Sequence, residues 1–242
     1  MPSAGDHRRA ELVGALAGVR ATISDACAAA GRDPRSVTLI AVTKTYPASD
    51  VQTLAELGVL DIGESKDQEA RTKIRDLEKS GRPPAVRWHL VGRLQTNKAR
   101  SVVSYAHAIH SLDRPKLARA LADAAEAAER TDPLDVFLQV SLDADPDRGG
   151  VPAEDLPRLA EAVAERPQLR MRGVMAVPPI GADPDREFAR LADISGELRE
   201  RYPDADAISA GMSGDIAAAV RNGATHVRVG TALLGRRSPV LG

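Results

Sequence analysis

The chain has 242 residues, with 33 Lys plus Arg against 34 Asp plus Glu, a formal charge of about −1; it lacks the basic excess of a protein that binds nucleic acid by neutralising phosphates. One Trp, three Tyr and two Phe offer no platform for stacking bases, and the single cysteine, Cys27, excludes an internal disulfide and agrees with a reducing compartment. No apolar run reaches the ~18 residues of a membrane span and the N-terminal MPSAGDHRRAEL lacks a signal-peptide core, so a cytoplasmic protein without a membrane partner is expected.

Short β-rich runs alternate with helical stretches along almost the whole chain. An opening helix, Asp6 to Ala30, holds Cys27 as a small apolar residue, and Gly31 with Asp33-Pro34 closes it. VTLIAVTK (Val37 to Lys44) is nearly continuously apolar, as a strand buried on both faces should be. A helix from Ala48 to Leu57, a strand VLDIGES (Val59 to Ser65) and a helix from Lys66 to Lys79 follow. Beyond the turn at Ser80 to Pro84 come VRWHLVG (Val86 to Gly92), AIHSLD (Ala108 to Asp113) and an Ala-rich helix from Arg114 to Arg130. DVFLQVSL (Asp135 to Leu142), LRMRGVMAV (Leu169 to Val177), DAISA (Asp206 to Ala210) and HVRVGTALLG (His226 to Gly235) complete eight strands.

Regular strand–helix alternation argues for parallel pairing, because parallel strands need crossover connections. No G-x-G-x-x-G follows the first strand, which counts against an open dinucleotide-binding sheet. Eight near-even units without a composition break predict one domain, residues 1–242, folded as a (β/α)8 TIM barrel with an extra N-terminal helix.

In such a barrel chemistry sits at the C-terminal ends of the strands. Lys44 ends the first strand, where a lysine at an apolar rim can be partly desolvated and present a nucleophilic amine, or can simply extend to solvent. Ser213 lies in the Gly-rich turn GMSGD before a helix, and Gly230-Thr231 forms a second small-residue turn after the last strand; both suit a phosphate. Capping and turn-making are the structural alternatives. Arg228 shares a strand face with Gly230, and pairs with Glu64 or Asp113 or faces a ligand atom, since an unpaired buried charge is costly. Lysine, phosphate cradle and arginine on neighbouring strands describe a pocket for a phosphorylated aldehyde, and pyridoxal 5′-phosphate fits that description. No H-x-x-H, H-E-x-x-H or C-x-x-C spacing supports a metal site.

The segments LIAVTKTYP, DIGESKDQEA, WHLVGRLQTNK, LRMRGVMAVPP, SAGMSGDI and VRVGTALLG, spread in order from Val37 to Arg236, resemble the signature blocks of the pyridoxal phosphate homeostasis protein family. The resemblance implies a fold like the N-terminal barrel of alanine racemase and covalently bound pyridoxal phosphate. It implies that Lys44 holds the cofactor as a Schiff base, that Ser213 with the backbone of Gly230 and Thr231 holds the phosphate, and that Arg228 faces the pyridine nitrogen. One departure stands out: the family's asparagine after Gly-Glu is Ser65 here, which leaves a weaker or water-bridged contact near the ring. Ala210 and Gly214 are minor variations.

An arginine at the ring nitrogen cannot act as an acid near neutral pH, and so weakens the cofactor as an electron sink. Related racemases take a catalytic tyrosine from a second domain; this chain ends at Gly242, and nothing places Tyr46 in that role, so efficient racemisation is not expected. His89 reads as a hydrogen-bonded core residue, Glu64 as the partner of a basic neighbour, and Gln95, Asn97 and Lys98 as caps for the loop after the third strand. The expected function is a monomeric pyridoxal phosphate carrier or buffer in vitamin B6 balance, with apo-forms of pyridoxal phosphate enzymes as partners and no catalytic residue of its own. A true pyridoxal phosphate enzyme acting on a small amino acid is the alternative, and a lyase using Lys44 directly on a phosphorylated sugar a third reading.

Overall fold

The first helix, α1 (Ala4–Ala29), starts at Ser3, whose Oγ accepts from the Asp6 N–H while Asp6 Oδ2 takes the Ser3 N–H at 2.8 Å, a reciprocal cap. Leu12, Leu16, Val19, Ile23 and Cys27 recur at helical spacing and are buried. Gly31, in the left-handed region at φ 64°, turns the chain out of the helix. The computed structural model describes residues 3–143, 145 and 148–235, so Arg236, where the matched blocks end, lies outside them.

Eight strands follow among the described residues. β1 (Thr38–Val42), α2 (Ala48–Glu56), β2 (Asp61–Glu64), α3 (Asp67–Lys79) and β3 (Arg87–Leu90) make the first half of the wall with α4 (Ala99–Val103) and β4 (Ala106–Leu112). After α5 (Pro115–Ala127) come β5 (Leu134–Gln139), α6 (Leu156–Ala164), β6 (Leu169–Met175) and α7 (Pro184–Arg201). The last elements are β7 (Ala207–Ser209), α8 (Ile216–Arg221), β8 (His226–Val229) and the four-residue α9 (Thr231–Leu234). All neighbours pair in parallel, and β8 closes on β1 with Ile40 opposite Arg228 and Ala41 opposite Val229. The (β/α)8 barrel and its additional N-terminal helix are therefore observed.

Strand alternation divides the wall into two faces. Outward residues such as Ala41, Ile62, Trp88, Val227 and Val229 join an apolar layer with α1 and α2; Ile109, Leu138 and Val174 join another with α5, α6 and α7. Inward, the lumen is filled by the small cluster Ala108, Phe137, Met175 and Ala207 and by polar groups: Asp61, His89, His110, Ser209 and Arg228 are all buried. Gly173 (φ 146°) allows β6 to meet β7, because a Cβ there would lie 1.8 Å from the Ala207 carbonyl oxygen. The last predicted strand is too long. It stops at Val229, and Thr231–Leu234 coils as α9 against α1, which buries Leu233 and Leu234 as well as a strand would.

Candidate functional site

Three segments meet at the C-terminal mouth beside β7, β8 and β1. Arg228 N–H donates to the Gly211 carbonyl at 2.9 Å, which ties the turn after β7 to β8. Gly211 is required here: its φ is +93°, and a Cβ would press within 2.6 Å of Ala219 Cβ. That tie brings Ser213 to the end of β8, where its Oγ accepts the Ala232 N–H at 3.1 Å. Gly230 in turn approaches β1 so closely that a Cβ would sit 3.3 Å from the Val42 carbonyl oxygen. Ser213, Gly230, Thr231 and the strand end leading to Lys44 are thus brought together by backbone contacts.

The donors of this corner outnumber its acceptors. Among the described residues the backbone N–H groups of Ser213, Gly214 and Thr231 have no acceptor. Asp215 turns its carboxylate to the Met212 N–H. Free N–H groups and a serine hydroxyl on two small-residue turns match a phosphate monoester, which brings acceptors and negative charge.

Lys44 lies two residues beyond β1, and its side chain is exposed. Of the two readings for Lys44, extension to solvent is the one observed, because the strand ends before it. What is fixed is the backbone around it. Lys73 Nζ on α3 donates to the Thr43 carbonyl at 2.6 Å and to Glu64 Oε1 at 2.5 Å, and Thr43 Oγ1 donates to the same carboxylate at 2.6 Å. Glu69, one turn earlier on α3, accepts the Thr45 N–H, and Thr45 takes the left-handed conformation at φ 71°. Sequence reasoning missed Lys73 and Glu69 as supports; their i, i+4 spacing in QEARTK was visible, but not the turn they hold. Glu64 pairs with Lys73 rather than with Arg228; burial pushes its carboxyl up despite the bonds from Lys73 and Thr43.

Arg228 is 5 % exposed and meets no carboxylate within ion-pair distance among the described residues. Its Nη1 donates to Ser209 Oγ at 2.7 Å and its Nη2 to the Ala176 carbonyl at 3.0 Å. The expected alternative partners, Glu64 and Asp113, are engaged elsewhere, Asp113 by Arg114. Desolvation lowers the guanidinium pKa to about 10, opposed in part by Asp215, so the group stays cationic at neutral pH.

Other expectations resolve as follows. His89 is a hydrogen-bonded lumen residue, 2.9 Å from both Asp61 Oδ1 and His110 Nε2. Tyr46 donates its hydroxyl to the Gly235 carbonyl at 2.7 Å. Gln95 and Lys98 supply no side-chain cap; the loop after β3 is fastened instead by Arg114, which donates to the Leu94 carbonyl at 2.8 Å and to Thr96 Oγ1 at 3.3 Å. Ser65 follows β2 with its backbone crossed by Gly92, where a Cβ would clash with the Ser65 carbonyl.

Residues 17–238 match the family model described as alanine racemase, N-terminal domain. A curated protein of Mycobacterium tuberculosis named pyridoxal phosphate homeostasis protein is 42 % identical over 248 aligned residues, covering 97 % of this chain and 96 % of that one. The chain belongs to the pyridoxal phosphate homeostasis protein family. The Escherichia coli protein of the same name is 38 % identical over 229 residues, covering 92 % of this chain and 95 % of that one. Among solved structures, PipY of Synechococcus elongatus with pyridoxal phosphate bound superposes with a TM-score of 0.78 at 33 % identity, covering 93 % of this chain and all of that one.

Proposed function

We propose that this chain holds pyridoxal 5′-phosphate covalently on Lys44 and serves as a carrier or buffer in pyridoxal phosphate balance, without efficient turnover. The observation that carries the reading is the corner of unfilled donors at Ser213, Gly214 and Thr231, one strand away from a lysine whose backbone is clamped on both sides. Membership of the family and the cofactor in the PipY relative support it.

In this reading the Lys44 amine condenses with the aldehyde and releases water, and its exposure leaves room for the cofactor to enter and leave. Ser213 and the N–H groups of Gly214 and Thr231, with the backbone of Gly230, receive the phosphate. Arg228 faces the ring nitrogen as a permanent donor. When bound, the cofactor supplies an electrophilic carbon and an electron-withdrawing ring, which an arginine partner leaves muted because it cannot donate a full proton. The groups that would have to move protons for turnover are already engaged: Tyr46 with Gly235, Glu64 with Lys73, His89 with Asp61. The protein would act as a monomer in the cytoplasm, where the single buried Cys27 suits reducing conditions, and would hand its cargo to apo-enzymes that need it.

The test is an absorption spectrum of purified protein with added pyridoxal phosphate, before and after borohydride, followed by peptide mapping. A visible band that borohydride fixes onto the peptide carrying Lys44, and that Lys44→Ala lacks, is the expected result. Protein that stays colourless defeats the reading. Amino-acid turnover at rates typical of enzymes, about 1 per second or faster, would replace the carrier by a catalyst.

A further inference from the structure

Below Arg228 the lumen holds an unbroken row of polar side chains from four strands. Arg228 Nη1 lies 2.7 Å from Ser209 Oγ, Ser209 Oγ 2.8 Å from His110 Nδ1, His110 Nε2 2.9 Å from His89 Nδ1, and His89 Nε2 2.9 Å from Asp61 Oδ1. All five residues are buried. The row crosses the barrel from its mouth to its N-terminal floor, where Asp61 also takes Arg87 Nε at 2.7 Å and Arg87 Nη2 at 2.5 Å.

With both rings neutral, the two ends set the protons between them. A guanidinium only donates, so Ser209 Oγ accepts from Arg228. The hydroxyl proton then has one remaining partner among the described residues, His110 Nδ1, which must accept it. His110 therefore carries its own proton on Nε2 and donates to His89 Nδ1. His89 likewise carries its proton on Nε2 and gives it to Asp61 Oδ1. With both imidazoles neutral, each donor meets one acceptor. A charged His89 would reverse the upper links, donating to His110 Nε2 while His110 Nδ1 donates to the second lone pair of Ser209 Oγ, so the direction of the row reports the charge of His89.

We propose that Ser209, His110 and His89 are positioning residues for Arg228, holding its guanidinium through a one-way row of hydrogen bonds that ends on the Asp61 carboxylate. The setting of the group presented to the cofactor ring is then decided at the far end of the barrel. The proposal rests on the reading of Arg228 as the residue at the ring nitrogen.

Further observations fit it. His110 stacks on Phe137 with ring centroids 4.2 Å apart, which fixes its plane. Burial above all, then the neighbouring His89 and Arg228, hold His110 well below the ordinary imidazole range, so His110 itself is neutral at neutral pH. Burial would raise Asp61, but the bonds from His89 and Arg87 outweigh it and hold its carboxyl well below the usual range. A cavity of about 190 Å3 touches Asp61 and His89, so the foot of the row is the part that meets solution. The charged and titratable groups facing the row are Asp61 and Arg87 at its foot, His107, Asp135, Arg172 and His226 around its lower half, and Arg228 above.

Nitrogen NMR of histidine-labelled protein without cofactor reads the row directly. His89 and His110, assigned with His89→Gln and His110→Gln, are expected to be neutral with the proton on Nε2. A proton on Nδ1 of either ring, or a charged His89, overturns the proposal. Ser209→Ala cuts the row next to Arg228: the His110 Nδ1 signal is expected to shift as it loses its donor while His226, off the row, stays put. In loaded protein the same variant should shift the pH dependence of the absorption band and weaken cofactor binding about two- to tenfold. A Ser209→Ala protein with wild-type histidine signals and a wild-type pH profile also overturns it. If Lys44 takes no cofactor while the histidine spectrum is as expected, the cofactor reading fails, and with it the ring-facing role, while the row itself stands. If the cofactor binds and the spectrum is wrong, only the row fails.

Discussion

At the floor of the barrel the inward charges meet opposite ones, while at the mouth beside β7, β8 and β1 donors collect without acceptors. Asp61 takes Arg87 and His89, and Asp135 takes Arg170 at 2.5 Å with Arg172 at 3.9 Å and His107 at 4.0 Å. At the mouth, Lys44 is exposed, Arg228 lacks a carboxylate partner among the described residues, and the N–H groups of Ser213, Gly214 and Thr231 stand open. Buried polar groups in folded proteins are nearly always satisfied. The floor obeys this rule with its own partners and serves the fold; at the mouth Ser213 is half-buried and Gly214 and Thr231 are exposed, so water can fill their donors and an anion can replace it.

That division predicts opposite outcomes for changes at the two ends. The largest expected effect is at the floor: Asp61→Ala strips His89 and Arg87 of their acceptor and should cost about 3–5 kcal/mol of stability, read as a lower urea midpoint at pH 7. A loss under about 1 kcal/mol would show that the pairing is not what holds this end. Next comes acid. Burial pushes His226 down to about 4 in the folded state, whereas the unfolded chain titrates near the ordinary value of about 6.5. Between those values the unfolded state binds more protons, so stability is whole above about pH 6.5 and falls as the pH drops towards 4, by up to about 3 kcal/mol from this group; His110 adds to the loss in the same direction. Urea midpoints measured across that window check it, and a flat profile would mean the floor histidines are protonated without penalty. The smallest effect on the fold belongs to the mouth. Ser213→Ala loses the acceptor for one N–H and should change stability by less than about 1 kcal/mol. Cofactor dissociation should nevertheless rise about tenfold, the effect of losing a hydrogen bond to a charged group.

Much of the barrel was legible because alternation and apolar runs are local signals. The last strand was overextended because GTALLG is equally apolar as strand or helix, and only the packing of Leu233 and Leu234 against α1 decides. At the mouth, Lys44, Ser213 and Gly230 could be named from strand ends and turns. The clamp by Lys73 and Glu69 could not, since it depends on how α3 lies over the end of β1. His89 was readable as a hydrogen-bonded core residue. Its link to His110 was not, because the pairing of β3 with β4 shifts register between Trp88 and His89, and no local pattern announces such a shift. The carboxylate partner offered as one alternative for Arg228 is absent among the described residues for a related reason: Ser209 and a backbone carbonyl meet the need instead.

The mouth is also held by the two extremities of the described chain. Arg8 on α1 reaches Asp50 and the carbonyl of Leu234 at 3.1 Å, and Tyr46 holds Gly235. Lys44 is synthesised well before the turn that carries Thr231, and that turn is fastened only when α1 and the loop after β1 grip it. On the proposed reading, a chain has its anchoring amine before it has a seat for the phosphate. A ligand that needs both selects the closed barrel and stabilises that state alone.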